Sequence, residues 1–193
     1  MQNHSVKIKD ILKKTGALKK GHFKLSSGLH SEFYFQCALV LQYPEYAEFF
    51  GKELARKIKD IKIDAVISPA LGGIIIGQEV ARALKKRAIF AERVEGRFTL
   101  RRGFEIGEGE KILVVEDVVT TGGSSCEIGN MVESMGANVA GYAAICDRSG
   151  GKTNFKSHFY TLLQFDFENY KPEECPLCLK NIPFAAPGSK FIV

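Results

Sequence analysis

The chain has no apolar run long enough to cross a membrane, and its first residues lack the apolar core of a secretory signal. It has no internal repeat and no low-complexity segment, which excludes repeat architectures. Its five cysteines are an odd number scattered along the sequence, so a disulfide framework is not expected. Together these absences predict a cytoplasmic globular protein that does not associate with a membrane.

The length and charge of the chain bound its organisation and its ligands. A chain of 193 residues can bury a substantial core, and we expect one domain, residues 1–193. The net charge of +5 suits either nucleic acid or a small anionic metabolite. The metabolite is favoured over nucleic acid, because the basic residues form a local cluster and no long basic surface interleaved with aromatics. The cluster consists of Arg93, Arg97, Arg101 and Arg102.

Helical and strand-like patterns alternate along the chain, which indicates an α/β fold with a mainly parallel central sheet flanked by helices. The predicted helices cover 5 to about 16, about 44–58, about 74–86 and about 125–136. The predicted strands cover 33–41, 65–68, 88–92, 112–115, 139–146 and 158–164. We expect the segment of about 1–40, together with the C-terminal part, to form a small hood over the strand ends.

The most informative segment is Lys111–Ser124, in which a buried strand leads into two adjacent acids and then a Thr/Gly-rich turn. Glu116 and Asp117 follow the apolar run, at the strand end where open α/β sheets bind ligands. The turn at 120–124 offers hydroxyls and backbone N–H groups at a helix N-terminus, which favours an anion such as a phosphate. Carboxylates beside a phosphate cradle predict a sugar phosphate as the ligand.

Three further loops follow strands and are expected at the same edge of the sheet. The paired glycines of Ser68–Gly73 suit a pyrophosphate gripped by main-chain amides, or an ordinary strand-to-helix turn. The charged segment Glu92–Phe104 is either a lid that closes over phosphate or a solvated hairpin. Arg148, in Cys146–Gly151, either pairs with a substrate carboxylate or forms a structural salt bridge.

A single C-x-x-C motif, formed by Cys175 and Cys178, provides half of a four-ligand zinc site. A second chain or a nearby histidine could complete it, and a structural turn or an inert pair is the alternative. The four histidines show no metal spacing in the sequence.

Residues Val114–Ser125 resemble the motif with which type I phosphoribosyltransferases bind phosphoribosyl pyrophosphate (PRPP). Phe23–Tyr34 is similar to the N-terminal signature of the orotate phosphoribosyltransferases. Thr99–Phe104 and the C-terminal pattern that runs from Cys175 to Ser189 are similar to one bacterial branch of that family. The resemblance covers about residues 8–189.

The resemblance implies transfer of the 5-phosphoribosyl group from PRPP to orotate, giving orotidine 5′-monophosphate and pyrophosphate in pyrimidine biosynthesis. It implies Mg²⁺ bound mainly through substrate, and a homodimer in which the mobile loop, about 93–109, closes over the neighbouring active site. The implied PRPP-binding residues are Glu116, Asp117, Val118, Val119, Thr120, Thr121, Gly122, Gly123 and Ser124. Thr120 and Arg148 are implied to contact orotate, and Arg97, Arg93 and Asp117 are the implied catalytic residues.

The chain departs from the better-studied family members at several positions. They place lysines where this chain has Ser26 and Gly72, and Lys and His at loop positions that match Arg97 and Thr99. The pyrophosphate grip is therefore expected to use arginines and backbone amides. The alternatives are a purine phosphoribosyltransferase and a PRPP-sensing regulator on the same fold.

Overall fold

A computed structural model describes residues 4–25, 28–165 and 167–185. The chain divides into two compact units. The terminal unit comprises Met1–Val40 and Asp166–Val193, and the central unit comprises Leu41–Phe165. The terminal unit thus contains the segment of about 40 residues for which a hood was predicted.

The secondary structure alternates as the sequence patterns predicted. The helices are α1 (His4–Lys14), α2 (Ala38–Leu41), α3 (Pro44–Ile58), α4 (Gly72–Leu84), α5 (Gly123–Ser134) and α6 (Pro176–Leu179). The strands are β1 (Leu18–Lys24), β2 (His30–Phe35), β3 (Ala65–Pro69), β4 (Arg87–Val94), β5 (Arg97–Leu100), β6 (Lys111–Val119), β7 (Asn138–Asp147), β8 (Phe159–Gln164) and β9 (Asn169–Tyr170).

The central unit is built on a six-stranded sheet in the order β5-β4-β3-β6-β7-β8. All neighbouring strands are parallel except β4 and β5, which form an antiparallel hairpin. Every residue of β3 is buried, as are Ile112–Val115 of β6, because helices cover both faces of a parallel sheet. Helix α4 packs on β3 and β6, and α3 packs on α4. The predicted α/β fold with a mainly parallel sheet is confirmed.

The terminal unit contains a second, three-stranded sheet in the order β1-β2-β9. Strands β1 and β2 pair antiparallel, and Phe23 of β1 is buried together with Leu12 of α1. An isolated bridge between His22 and Phe184 brings the C-terminal segment against β1. Chain segments that are about 160 residues apart in sequence therefore meet in this unit.

In the N-terminal segment one strand prediction was wrong and one strand was missed. The predicted strand 33–41 ends at Phe35, and Ala38–Leu41 form the short helix α2. A short apolar run is compatible with a strand or a buried helical turn, and its periodicity cannot distinguish the two. Strand β1 was missed because its residues Leu18–Lys24 include three lysines and a glycine, which resemble a turn.

No helix in the described ranges combines the length and the apolar character that crossing a membrane requires.

Candidate active site

Two half-buried carboxylates lie at the carboxyl end of β6. Glu116 accepts a hydrogen bond from the hydroxyl of Ser125, with 2.9 Å between the oxygen atoms. Asp117 accepts one from the backbone N–H of Val118, at 2.9 Å. The apolar residues that precede them are locked into the sheet, so the position of both acids is fixed by burial of the strand.

The protein environment disfavours two negative charges at this place. Burial raises the pKa of Glu116 to about 7, and the nearby charge of Asp117 contributes to the same shift. The hydrogen bond from Ser125 and the charge of Arg93 oppose that shift. Burial also raises the pKa of Asp117. The pair therefore favours ligands that bring hydroxyl donors or positive charge.

The turn after β6 forms a cradle for an anion. Gly122 has φ +79°, and a side chain there would come within 3.1 Å of the Phe155 ring. This residue turns the chain into α5, whose first N–H groups have no partner within the helix and attract anions. A small cavity of about 70 Å³ lies here, lined by Glu116, Val118, Val119, Thr120, Thr121, Gly122, Gly123 and Ser124. The structure thus brings together the carboxylate and the turn that the sequence predicted as one site.

The first residues of α4, which follow the turn after β3, lie close to Asp117. A β-carbon placed on Gly72 would lie 3.0 Å from both carboxylate oxygens of Asp117. A β-carbon on Gly73 would lie 2.9 Å from Pro69 and 3.0 Å from the carbonyl oxygen of Val115. Both glycines therefore permit a backbone approach that a side chain would block. A lysine at position 72 would have to displace this packing.

The charged segment Glu92–Phe104, predicted as a lid or a solvated hairpin, includes the end of β4, the turn and the whole of β5. Strands β4 and β5 form an antiparallel hairpin. Arg93 forms an ion pair with Glu127 of α5 at 2.9 Å, and its guanidinium lies 4.1 Å from the centre of the Phe98 ring. The backbone N–H of Phe98 donates to Glu127 at 2.9 Å. The hairpin is thus attached to the helix that starts at the anion cradle.

Three arginines of this segment differ in what their side chains contact. Arg102 donates two hydrogen bonds to Glu92, at 3.0 and 2.9 Å, and Arg93 is paired as described. Arg97 is exposed, and its guanidinium makes no hydrogen bond or ion pair with the parts of the chain that the structure describes. Of the two predicted catalytic arginines, Arg93 is paired with a carboxylate, whereas Arg97 has no such partner among the described residues.

Arg148 lies directly beside the anion cradle. Its backbone N–H donates to the carbonyl of Val119 at 2.7 Å, and Val119 immediately precedes Thr120. The buried carboxylate of Asp147 accepts a hydrogen bond from the N–H of Ser149 at 2.8 Å, which fixes the turn after β7. The two residues predicted to contact orotate thus follow neighbouring, hydrogen-bonded strands.

Other predicted features lie elsewhere or beyond what is described. Cys175 and Cys178 belong to the terminal unit, where their sulfur atoms lie close to two imidazoles. Ser26 and residues 187–189 lie outside the described residues. Sequence reasoning missed Ser125 and Glu127. Ser125 is the last residue of the motif but was not among the predicted site residues, whereas no sequence signal links Glu127 to the hairpin.

A family model for the phosphoribosyl transferase domain matches residues 45–175. A protein of Thermoanaerobacter sp. (strain X514) called orotate phosphoribosyltransferase is 55% identical over 183 residues, which cover 95% of this chain and 96% of that protein. The chain belongs to the orotate phosphoribosyltransferase family. A Thermotoga maritima relative with the same description is 52% identical, over 95% of this chain and 98% of its own length.

Solved structures of phosphoribosyltransferases share the fold. The orotate phosphoribosyltransferase of Mycobacterium tuberculosis matches with a TM-score of 0.68 at 19% identity, over 83% of this chain and 95% of that chain. An adenine phosphoribosyltransferase from Thermoanaerobacter pseudethanolicus matches with a TM-score of 0.60 at 20% identity, over 69% and 88%. Enzymes for different bases therefore have the same architecture, and the family assignment depends on sequence identity.

We expect Glu116→Gln to raise the free energy of unfolding of the unliganded protein more at pH 8 than at pH 4.5. The folded state raises the pKa of Glu116 from 4.5 to about 7, so it binds this proton more tightly than the unfolded chain does. Stability is therefore lost as the pH rises through about 7, and glutamine, which cannot ionise, avoids that loss. The gain at pH 8 should be roughly 1–3 kcal/mol.

Urea denaturation at a series of pH values measures this difference, with the exposed Glu108→Gln as the control. The assignment would be contradicted if the free energy of unfolding of Glu116→Gln and of the unsubstituted chain changed in parallel between pH 4.5 and 8.

Proposed function

We propose that the protein transfers the 5-phosphoribosyl group of PRPP to orotate, giving orotidine 5′-monophosphate and pyrophosphate in pyrimidine biosynthesis. The observation that carries the proposal is the acid pair at the end of β6, which opens on the anion cradle at the start of α5. It occurs in a chain that is at least half identical, along nearly its whole length, to proteins called orotate phosphoribosyltransferase.

Ribose and phosphate binding are assigned to the β6–α5 segment. Glu116 and Asp117 accept hydrogen bonds from the ribose 2- and 3-hydroxyls, which are donors that buried carboxylates require. The amides of the turn, from Val118 to Ser124, and the Thr120 hydroxyl hold the 5-phosphate at the positive end of the α5 dipole. The sugar is then held at both ends, which fixes its anomeric carbon in the site.

A divalent cation suits the acid pair. Burial raises the pKa values of Glu116 and Asp117, and the charge of Asp117 adds to the shift at Glu116. A bound cation would offset the cost of these two negative charges. Mg²⁺ binds through few carboxylates and mainly through substrate phosphates, so these two residues are the protein groups that would hold it with PRPP. When bound, it supplies positive charge that stabilises the pyrophosphate as it leaves.

Stabilisation of the departing pyrophosphate is assigned to the β3–α4 loop and to the β4–β5 hairpin. Gly72 and Gly73 leave backbone amides open to an anion beside Asp117. The exposed guanidinium of Arg97 can approach phosphate oxygens without breaking an ion pair with the described residues. Arg93 contributes positive charge near Glu116. Closure of residues 93–109 would exclude water, which would otherwise compete with orotate for the oxocarbenium-like centre.

Recognition of the base is assigned to Thr120 and Arg148. The guanidinium of arginine pairs with a carboxylate through two parallel hydrogen bonds, and orotate differs from uracil by that carboxylate. We infer in addition that two chains form a homodimer in which residues 93–109 of one chain close over the site of the other. The exposure of Arg97 supports this arrangement.

A spectrophotometric assay with PRPP and Mg²⁺ tests the function, with orotate, uracil, adenine and hypoxanthine run in parallel. We expect orotate to be consumed and the other three bases to react at least about tenfold more slowly, since each lacks the charge-assisted contact. Consumption of a purine would keep the PRPP site and overturn the base assignment. PRPP binding without turnover of any base would favour a regulator.

We expect Arg148→Ala to lower kcat/KM for orotate by about 10-fold to 150-fold, the equivalent of one lost charge-assisted contact of about 1.5–3 kcal/mol. Uracil turnover should change little, so that the preference for orotate disappears. Arg56→Ala, which removes an exposed arginine of α3, serves as the control. An equal loss for both bases would show that Arg148 holds the loop and does not read the carboxylate.

We expect Arg97→Ala to lower kcat by about 100-fold or more while the KM for PRPP changes much less, because the contact strengthens as pyrophosphate departs. Arg102→Ala, in the same segment but paired with Glu92, is the matched control and should retain kcat within about threefold. Steady-state kinetics with both substrates varied measure this difference. If Arg93→Ala alone lowers kcat, the key catalytic cation is Arg93.

A further inference from the structure

Four potential metal ligands converge in the terminal unit, among the residues that the structure describes. His22 lies on β1 and His30 lies on β2. Cys175 directly precedes α6, and Cys178 lies within that helix. One ligand atom from each side chain lies within 4.8 Å of the other three. The sequence showed only the Cys pair, because the histidines are eight residues apart from each other along a hairpin and far from both cysteines.

The distances match a tetrahedral metal site. His22 Nε2 lies 3.2 Å from His30 Nδ1, 3.6 Å from Cys175 Sγ and 3.7 Å from Cys178 Sγ. Cys178 Sγ lies 3.3 Å from His30 Nδ1. Zinc bonds of ordinary length at tetrahedral angles place two nitrogens about 3.3 Å apart and a nitrogen and a sulfur about 3.6 Å apart. The four side chains thus surround a space of the size that zinc occupies.

The hydrogen bond of His22 directs its free lone pair into the cluster. Its Nδ1 lies 2.7 Å from the carbonyl oxygen of Ile182, which can only accept, so Nδ1 carries the proton. Nε2 of the neutral ring is then the unprotonated nitrogen, and it is the atom that faces both sulfurs. Zinc-binding histidines use a backbone carbonyl in this way to fix their tautomer and orientation.

Three of the four side chains are buried and Cys178 is half-buried, so the cluster is largely shielded from water, as structural metal sites are. His22 is 2% exposed, His30 is 4% exposed and Cys175 is fully buried. The Phe184 ring packs 4.1 Å from the His22 ring and 4.9 Å from the His30 ring, measured between centroids. Four protein ligands fill the coordination of zinc and leave no open position for substrate. The arrangement is therefore suited to holding structure.

We propose that His22 Nε2, His30 Nδ1, Cys175 Sγ and Cys178 Sγ bind one zinc ion, which fastens the C-terminal segment to the β1–β2 hairpin. Zinc is the metal class that a tetrahedral site of two thiolates and two imidazoles favours. The ion crosslinks positions 153 residues apart, Cys175 and His22, and so stabilises the terminal unit as a long-range crosslink would. This assignment does not depend on the reaction catalysed in the central unit.

Metal analysis of the full chain, purified without chelators, tests the proposal. We expect about one zinc per chain, falling below about one tenth in Cys178→Ser, because a structural site uses all four ligands. Cys126→Ser removes a half-buried thiol of α5 outside the cluster and should retain the metal. Equal zinc in both variants, or none in the unsubstituted chain, would overturn the proposal.

Two measurements on the unsubstituted chain keep the test valid if Cys178→Ser fails to fold. Replacement of zinc by Co²⁺ should give the intense visible bands of tetrahedral cobalt together with thiolate-to-cobalt charge transfer. Treatment with a strong zinc chelator should lower the melting temperature, and added Zn²⁺ should restore it. A disulfide between Cys175 and Cys178 in the native protein, detected by mass after alkylation, would overturn the proposal in favour of a redox pair.

Discussion

The burial of β6 is the constraint on which the candidate active site depends. The apolar residues of this central strand are buried between two layers of helices, which fixes the position of the strand. Glu116 and Asp117 follow them at the carboxyl end of the strand. The protein leaves these acids in an environment that raises their pKa values, an arrangement that costs stability and is typical of sites prepared for a ligand. The start of α4 approaches Asp117 through Gly72, and Ser125 of α5 donates a hydrogen bond to Glu116.

Sequence patterns predicted those parts of the site that are contiguous in the chain. The buried run, the two acids and the Thr/Gly turn follow one another from Val114 to Ser125, so local patterns contain the information needed. The contacts of Glu127 with Arg93 and of His22 with Cys175 join distant segments, and no periodicity encodes them. The hairpin β4–β5 was ambiguous for a further reason, since charged residues in short edge strands resemble a solvated loop.

Architecture and base specificity have separate origins in this family. Solved structures of an adenine and of an orotate phosphoribosyltransferase both share the fold of this chain, so the fold alone does not determine the base. The choice of base is assigned to side chains at the end of β7, one strand away from the anion cradle. On this assignment, substitutions in the loop after β7 could change the base that is bound while the fold and its phosphate-binding turn stay the same.

The raised pKa of Glu116 makes ligand binding a proton-linked event. Near pH 7 the unliganded site holds a fraction of a proton on this carboxyl group, and a ligand that selects the ionised pair must expel it. The heat of binding measured by calorimetry would then include the ionisation heat of the buffer. The affinity for such a ligand would also follow pH, so that acidification alone would weaken its binding.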